Sequence, residues 1–210
     1  MKKLIPTAPT TYEDSYAAQG IFPIVGVDEA GRGALAGPVV ACAVVFPPGL
    51  VIEGVNDSKK LSPKRRAELA VCIRNEALAY AFGIVGVDII EKINILQASL
   101  LAMRQAVQGL SVVPKFALID GNKLPQCLPC PAVCIKQGDS VSHVIAAASI
   151  LAKQERDNIM RELHQKHAVY GFDVHKGYGT AVHRHAIIKH GTCLQHRAMF
   201  LKNILEGNPT

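Results

Sequence analysis

The chain has 210 residues, is 49% apolar and carries no low-complexity tract, which suits one domain with a substantial core and leaves too little chain for a second. Lysine and arginine number 23 against 17 acids, a balance that fits a polyanionic partner such as nucleic acid without requiring one. No apolar run approaches the ~18 residues of a membrane span and the start lacks a signal-peptide core, so no membrane role and a cytoplasmic location are expected.

Residues 1–20 read as a loose N-terminal arm, and 21–210 as the domain proper. Residues 22–28 and 38–46 are predicted strands, rich in Val and Ile and joined by a turn with three glycines in seven residues. Ser62 followed by Pro63 marks a helix start, and 80–87 a further strand. A long helix follows from Asp88, its expected cap, to Gly109, with an apolar stripe at Ile89, Ile93, Leu96, Leu100, Met103 and Val107. Strands at 115–120 and 132–136, a long helix over 142–167, a loop, a short helix and a last apolar segment complete the pattern. Strands followed by alternating strands and helices predict an α/β fold, a mixed sheet flanked by helices.

Two apolar strands end on carboxylates followed by glycine, Asp28 with Glu29, and Asp120. If the strands are parallel neighbours, the acids meet at one carboxyl edge of the sheet, where ligands bind, and Asp139 can reach the same edge. Clustered carboxylates repel, so such a site implies shared protons or cations, and oxygen-only ligands favour Mg²⁺ or Mn²⁺. Each acid taken alone also suits a strand-end turn or a helix cap. Consecutive strand residues point to opposite faces, so Asp28 and Glu29 share a site only if the strand ends there. The glycine turn matches neither the P-loop pattern nor the dinucleotide pattern. A structural turn remains, or a bare backbone that lets a sugar or phosphate approach, with Arg32 supplying charge. Cys127, Cys130 and Cys134 cluster but lack a fourth ligand at zinc spacing, so six reduced thiols in loop or core are expected.

The stretches "GVDEAGRGALAGPVVACAVV", "NDSKKLS", "INILQASLLAMRQAV", "LIDGNKLP", "KQGDS", "AAASILAKQERD" and "HKGYGT" resemble, in order, the bacterial type 2 ribonucleases H, the ribonuclease HII family. The resemblance implies a ribonuclease H-like fold with extra C-terminal helices. It implies a monomeric endoribonuclease acting on RNA–DNA hybrids and on duplex DNA carrying single ribonucleotides, leaving 3′-hydroxyl and 5′-phosphate ends. Asp28, Glu29, Asp120 and Asp139 match the family's acidic quartet, expected to hold two Mg²⁺ or Mn²⁺ ions. Gly31, Arg32 and Gly33 match its reader of the ribose 2′-hydroxyl, and Tyr178 its tyrosine on the neighbouring sugar. Lys59, Lys60, Lys153, Lys176 and Arg197 are expected phosphate contacts. His183 falls at a family position near the metal site, and Asp157 matches but lies 18 residues beyond Asp139. A silent binding module of the same fold and another nuclease of the superfamily are the rival readings. A sliding-clamp partner is left open.

Overall fold

The computed structural model describes residues 6–205. Val- and Ala-rich segments form Ile24–Ala30 (β1) and Val39–Val45 (β2), which sit inside one sheet, and every β2 residue is buried. Ala79–Val85 (β3) pairs antiparallel with β2, and β2 with β1. Phe116–Asp120 (β4) and Ala132–Ile135 (β5) extend the other side in parallel, giving the order β3-β2-β1-β4-β5. This is the mixed sheet expected, and it is covered on both faces.

One face, with Val25, Val27, Ala41 and Ala43, packs on Val87–Gln108 (α3) through Ala98, Ala102, Met103 and Ala106. The other, with Ile24, Val44 and Leu118, packs on His143–Lys166 (α5) and on Pro63–Glu76 (α2). Ser62 caps α2 as expected, its hydroxyl accepting from the Arg65 N–H at 3.2 Å. Gly138–Val141 (α4) precedes α5. Beyond α5 come Phe172–His175 (α6), Ala181–His190 (α7) and Lys202–Leu205 (α8), the extra C-terminal helices, with a core of their own around Met160, Tyr170, Phe172 and Ala186. No helix among the described residues is long and apolar enough to cross a membrane.

Four local expectations differ. The described part of the arm is docked: Thr11–Ala17 form a helix (α1), Tyr16 stacks on Phe116, and the Ala8 N–H donates to the Val55 carbonyl at 2.8 Å. The Glu13 carboxylate also accepts from the Ser142 hydroxyl and the Val144 N–H, so α1 serves donors at the start of α5. Residues 1–5 lie outside the described residues. Gly86, not Asp88, occupies the N-cap of α3, and that helix kinks at Asn94, whose φ is 64°. The small residues Ala98, Ala102 and Ala106 are fully buried, whereas Ile89, Ile93, Leu96 and Leu100 are only half-buried. Finally, β1 runs past Asp28 and Glu29 to Ala30, both acids remaining paired with β2.

Candidate active site

The parallel pairing of β1 with β4 stops at Val27 opposite Ile119, one residue before Asp28 and Asp120. Beyond that point β1 has a neighbour on one side only. The longer Glu29 side chain can therefore reach round the free edge, and it is this edge, not an end of β1, that brings consecutive acids together. Carboxylate oxygens of Asp28, Glu29 and Asp120 lie within 4.8 Å of one another. The Asp28 Oδ1 accepts from the Glu29 N–H at 2.6 Å, and the Asp120 Oδ1 from the Gly138 N–H at 2.7 Å.

Asp139 lies outside that trio. It is buried beside Asp57, and its Oδ2 is 3.5 Å from the Lys59 ammonium. Burial raises the Asp28 carboxyl well above its usual range, and Glu29 and Asp120 add repulsion. Burial raises Glu29 as well, against the Arg32 guanidinium at 3.4 Å. Burial and Asp57 do the same to Asp139. Crowded carboxylates with raised values and oxygen-only donors fit a hard divalent cation, which would relieve the repulsion that the fold alone sustains.

The acids open into a cleft of about 310 Å³ that also takes in Gly31, Arg32, Gly33, Lys59, Lys153 and Tyr178. At Gly31 φ is +101°, and a Cβ would collide with the Arg156 side chain, so this glycine makes room inside the protein for that arginine. A Cβ at Gly33 would meet nothing within 4 Å. Both glycines line the cleft, Gly31 buried and Gly33 exposed with open space beside its backbone.

Of the predicted phosphate contacts, Lys59 and Lys153 line the cleft. Lys60 faces Asp57 at 4.0 Å, and Lys176 reaches the Asp173 carbonyl. Arg197 is a correction: it is fully buried, and its guanidinium donates to the carbonyls of Gly31, Arg32 and Gly37 at 2.7–3.0 Å. It braces the glycine loop from below, beyond reach of a phosphate. Burial, then Arg156, lowers it to about 9, so it stays charged at neutral pH.

Asp157 is also structural, held by Arg66 at 3.3 Å and Lys153 at 2.6 Å. Cys134 lies in β5, and Cys127 and Cys130 in the loop before it, as free thiols. Reading the sequence missed Asp57, Ser58, Ser149 and Arg156. Ser149 hydrogen-bonds Asp28 and, at 2.9 Å, Ser58.

His183 is likewise placed away from the acids. It is fully buried in a ring cluster with Phe172, His175 and His196. The Cys193 N–H donates to His196 Nδ1, which leaves His196 Nε2 to donate to His183 Nε2 at 3.1 Å and His183 Nδ1 to donate to the Tyr178 carbonyl at 3.0 Å. The first bond requires a neutral His196 and the second a neutral His183, whereas the bond to the Tyr178 carbonyl survives protonation. Burial, with His175 and His196 nearby, lowers His183 to about 4. Its folded value lies below the unfolded one near 6.5, so its stabilisation is complete above that pH and is lost as pH falls toward 4. The unfolding free-energy difference between the protein and a His183→Gln variant should therefore shrink by roughly 1 to 2 kcal/mol between pH 7 and pH 5. A difference that stays constant with pH would show that His183 does not titrate this way.

Comparison with known proteins adds to this geometry. A family model described as Ribonuclease HII matches residues 25–203. The Ribonuclease HII of Chlamydia caviae is 50% identical over 192 residues, 91% of this chain and 90% of that protein. The ribonuclease H2 from Pyrococcus horikoshii superposes with a TM-score of 0.70 at 23% identity, covering 89% of this chain and 99% of that one. Bst-RNase HIII, solved in complex with Mn²⁺, gives a TM-score of 0.64 at 19% identity over 89% of this chain and 70% of its own.

Proposed function

Because the chain belongs to the ribonuclease HII family and is a ribonuclease H, a hydrolase, we propose that it cuts the RNA strand of RNA–DNA hybrids and the 5′ side of single ribonucleotides embedded in duplex DNA. The products in this reading carry 3′-hydroxyl and 5′-phosphate ends, and the protein acts as a monomer. One observation supports it above the others: three convergent carboxylates, the open backbone of Gly33 and the ring of Tyr178 share one cleft.

Asp28, Glu29 and Asp120 would hold two divalent ions, Mg²⁺ or Mn²⁺, with Asp139 completing the set. When bound, such ions supply an activated water and stabilise charge on the departing 3′-oxygen. The chain's own residues position the strand. The Gly33 backbone comes within hydrogen-bond reach of a ribose 2′-hydroxyl, the group that separates RNA from DNA at one nucleotide. Arg32, half exposed, adds charge beside it, and the Tyr178 ring takes the following sugar. Lys59 and Lys153, then Lys60 and Lys176 further out, face phosphates.

The test is incubation with duplex DNA carrying one ribonucleotide, with and without Mg²⁺. Cleavage 5′ of the ribonucleotide only in the presence of metal is expected, and an uncut substrate would overturn the reading. Duplex affinity should also fall linearly with salt in log–log form, with a slope of about −0.9 per phosphate neutralised. An affinity indifferent to salt would separate the basic excess from binding.

A further inference from the structure

Resting on that reading of the cleft, we propose that Arg156, on α5, is the positioning residue that fixes the distance between the glycine loop and Tyr178, and so sets the preference for a single embedded ribonucleotide. The two readers lie on loops about 145 residues apart in the chain, and no strand or helix contains both. One guanidinium bridges them. Arg156 Nε donates to the Pro38 carbonyl at 3.0 Å and Nη2 to the Ala36 carbonyl at 3.0 Å, both on the segment that continues from the glycine loop. Nη1 donates to the Lys176 carbonyl at 2.9 Å, two residues before Tyr178. Its Cζ lies 5.2 Å from the centroid of the Tyr178 ring, and its stem fills the space left by the missing side chain of Gly31.

Arg156 is fully buried and forms no ion pair with a carboxylate among the described residues, so its three directed bonds go to loop carbonyls. The planar fork defines three directions at once. A lysine ammonium is a point charge on a flexible stem and cannot hold both loops at the same spacing.

A contrast lies next to it. Arg197 braces the carbonyls of Gly31, Arg32 and Gly37 and makes no hydrogen bond to the segment bearing Tyr178. Loss of Arg197 should disturb every ribonucleotide substrate alike. Loss of Arg156 should disturb most the substrate that needs both readers, the single ribonucleotide followed by a deoxyribose. An all-RNA strand places a 2′-hydroxyl where the ring packs and so depends less on the ring.

The experiment measures kcat/KM for the wild type, Arg156→Lys, Arg156→Gln and Arg197→Lys on a single-ribonucleotide duplex and on an RNA–DNA hybrid, with melting midpoints alongside. For Arg156→Lys the ratio of the two should fall about tenfold, as a displacement of under an ångström at the reacting strand implies. Arg156→Gln should lower it at least as far, and Arg197→Lys should lower both rates in step. If the Arg156 variants keep the wild-type ratio, or if neither folds, Arg156 serves stability alone and the proposal is overturned. If the wild type leaves the embedded ribonucleotide uncut, the proposed function fails with it; a wild type that cuts while the variant ratios stay put refutes this inference alone.

Discussion

Asp28→Asn and Asp120→Asn are each expected to lower cleavage by about a thousandfold or more, roughly 4 kcal/mol of transition-state stabilisation, while the fold survives. Each removes a ligand charge from a cluster whose oxygens lie within 4.8 Å of one another and whose repulsion a bound cation would relieve. The hydrogen bonds are kept: an amide oxygen at position 28 can still accept from the Glu29 N–H, and one at 120 from the Gly138 N–H. The sign of the stability effect follows from the raised Asp28 value. A carboxyl raised by folding stabilises the protein below its unfolded value near 3.8 and costs stability as pH rises through the folded one. At neutral pH in chelator, the Asp28→Asn protein should therefore melt at the same temperature as the wild type or higher. Cleavage assays and melting curves on the same samples check both halves. A collapsed fold would make the acids structural, and near-normal cleavage by either variant would exclude them from the chemistry.

Tyr178→Ala should lose about a hundredfold on a duplex with one embedded ribonucleotide, whereas Tyr178→Phe should stay within a few-fold of wild type. The ring is braced from several directions. The Tyr178 N–H donates to the His175 carbonyl, its carbonyl accepts from the Thr180 N–H and from His183, and Lys153 and Arg156 lie 5.5 and 5.2 Å from the ring centroid. Phenylalanine keeps the ring and its cationic neighbours. Alanine removes the flat surface on which, in the proposed reading, the following sugar packs. Steady-state rates for the two variants decide the matter, and equal rates would reduce Tyr178 to a loop aromatic.

What the sequence made legible were local signals. Ser62–Pro63 announces α2, the Val-rich runs announce β1 and β2, and an apolar run ending on a carboxylate points to the sheet edge. Long-range choices were not legible. Nothing around Glu13 says that it will accept from Ser142, 129 residues away, and nothing around Asn94 signals a kink, since neither glycine nor proline stands there. Asp57 and Ser149 look like turn and helix residues until folding sets them beside Asp139 and Asp28. Arginine was the largest source of error. A sequence cannot distinguish Arg197, fully buried against loop carbonyls, from an exposed arginine awaiting a phosphate, because the carbonyls that claim it lie about 160 residues away.

The buried arginines also give the cleft a built-in polarity. Arg66, Arg156 and Arg197 carry three positive charges beneath its loops, and one carboxylate, Asp157, is paired among them. Carbonyl dipoles satisfy their donors but cancel no net charge. Mobile ions screen charges at the surface over about 8 Å at physiological salt, yet they cannot enter the interior to surround these. The end of the cleft holding the glycine loop and Tyr178 therefore rests on buried positive charge, while the carboxylates gather at the β1–β4 edge. Under the proposed function, the strand's sugars would lie over the positively based end and its scissile phosphate over the acids.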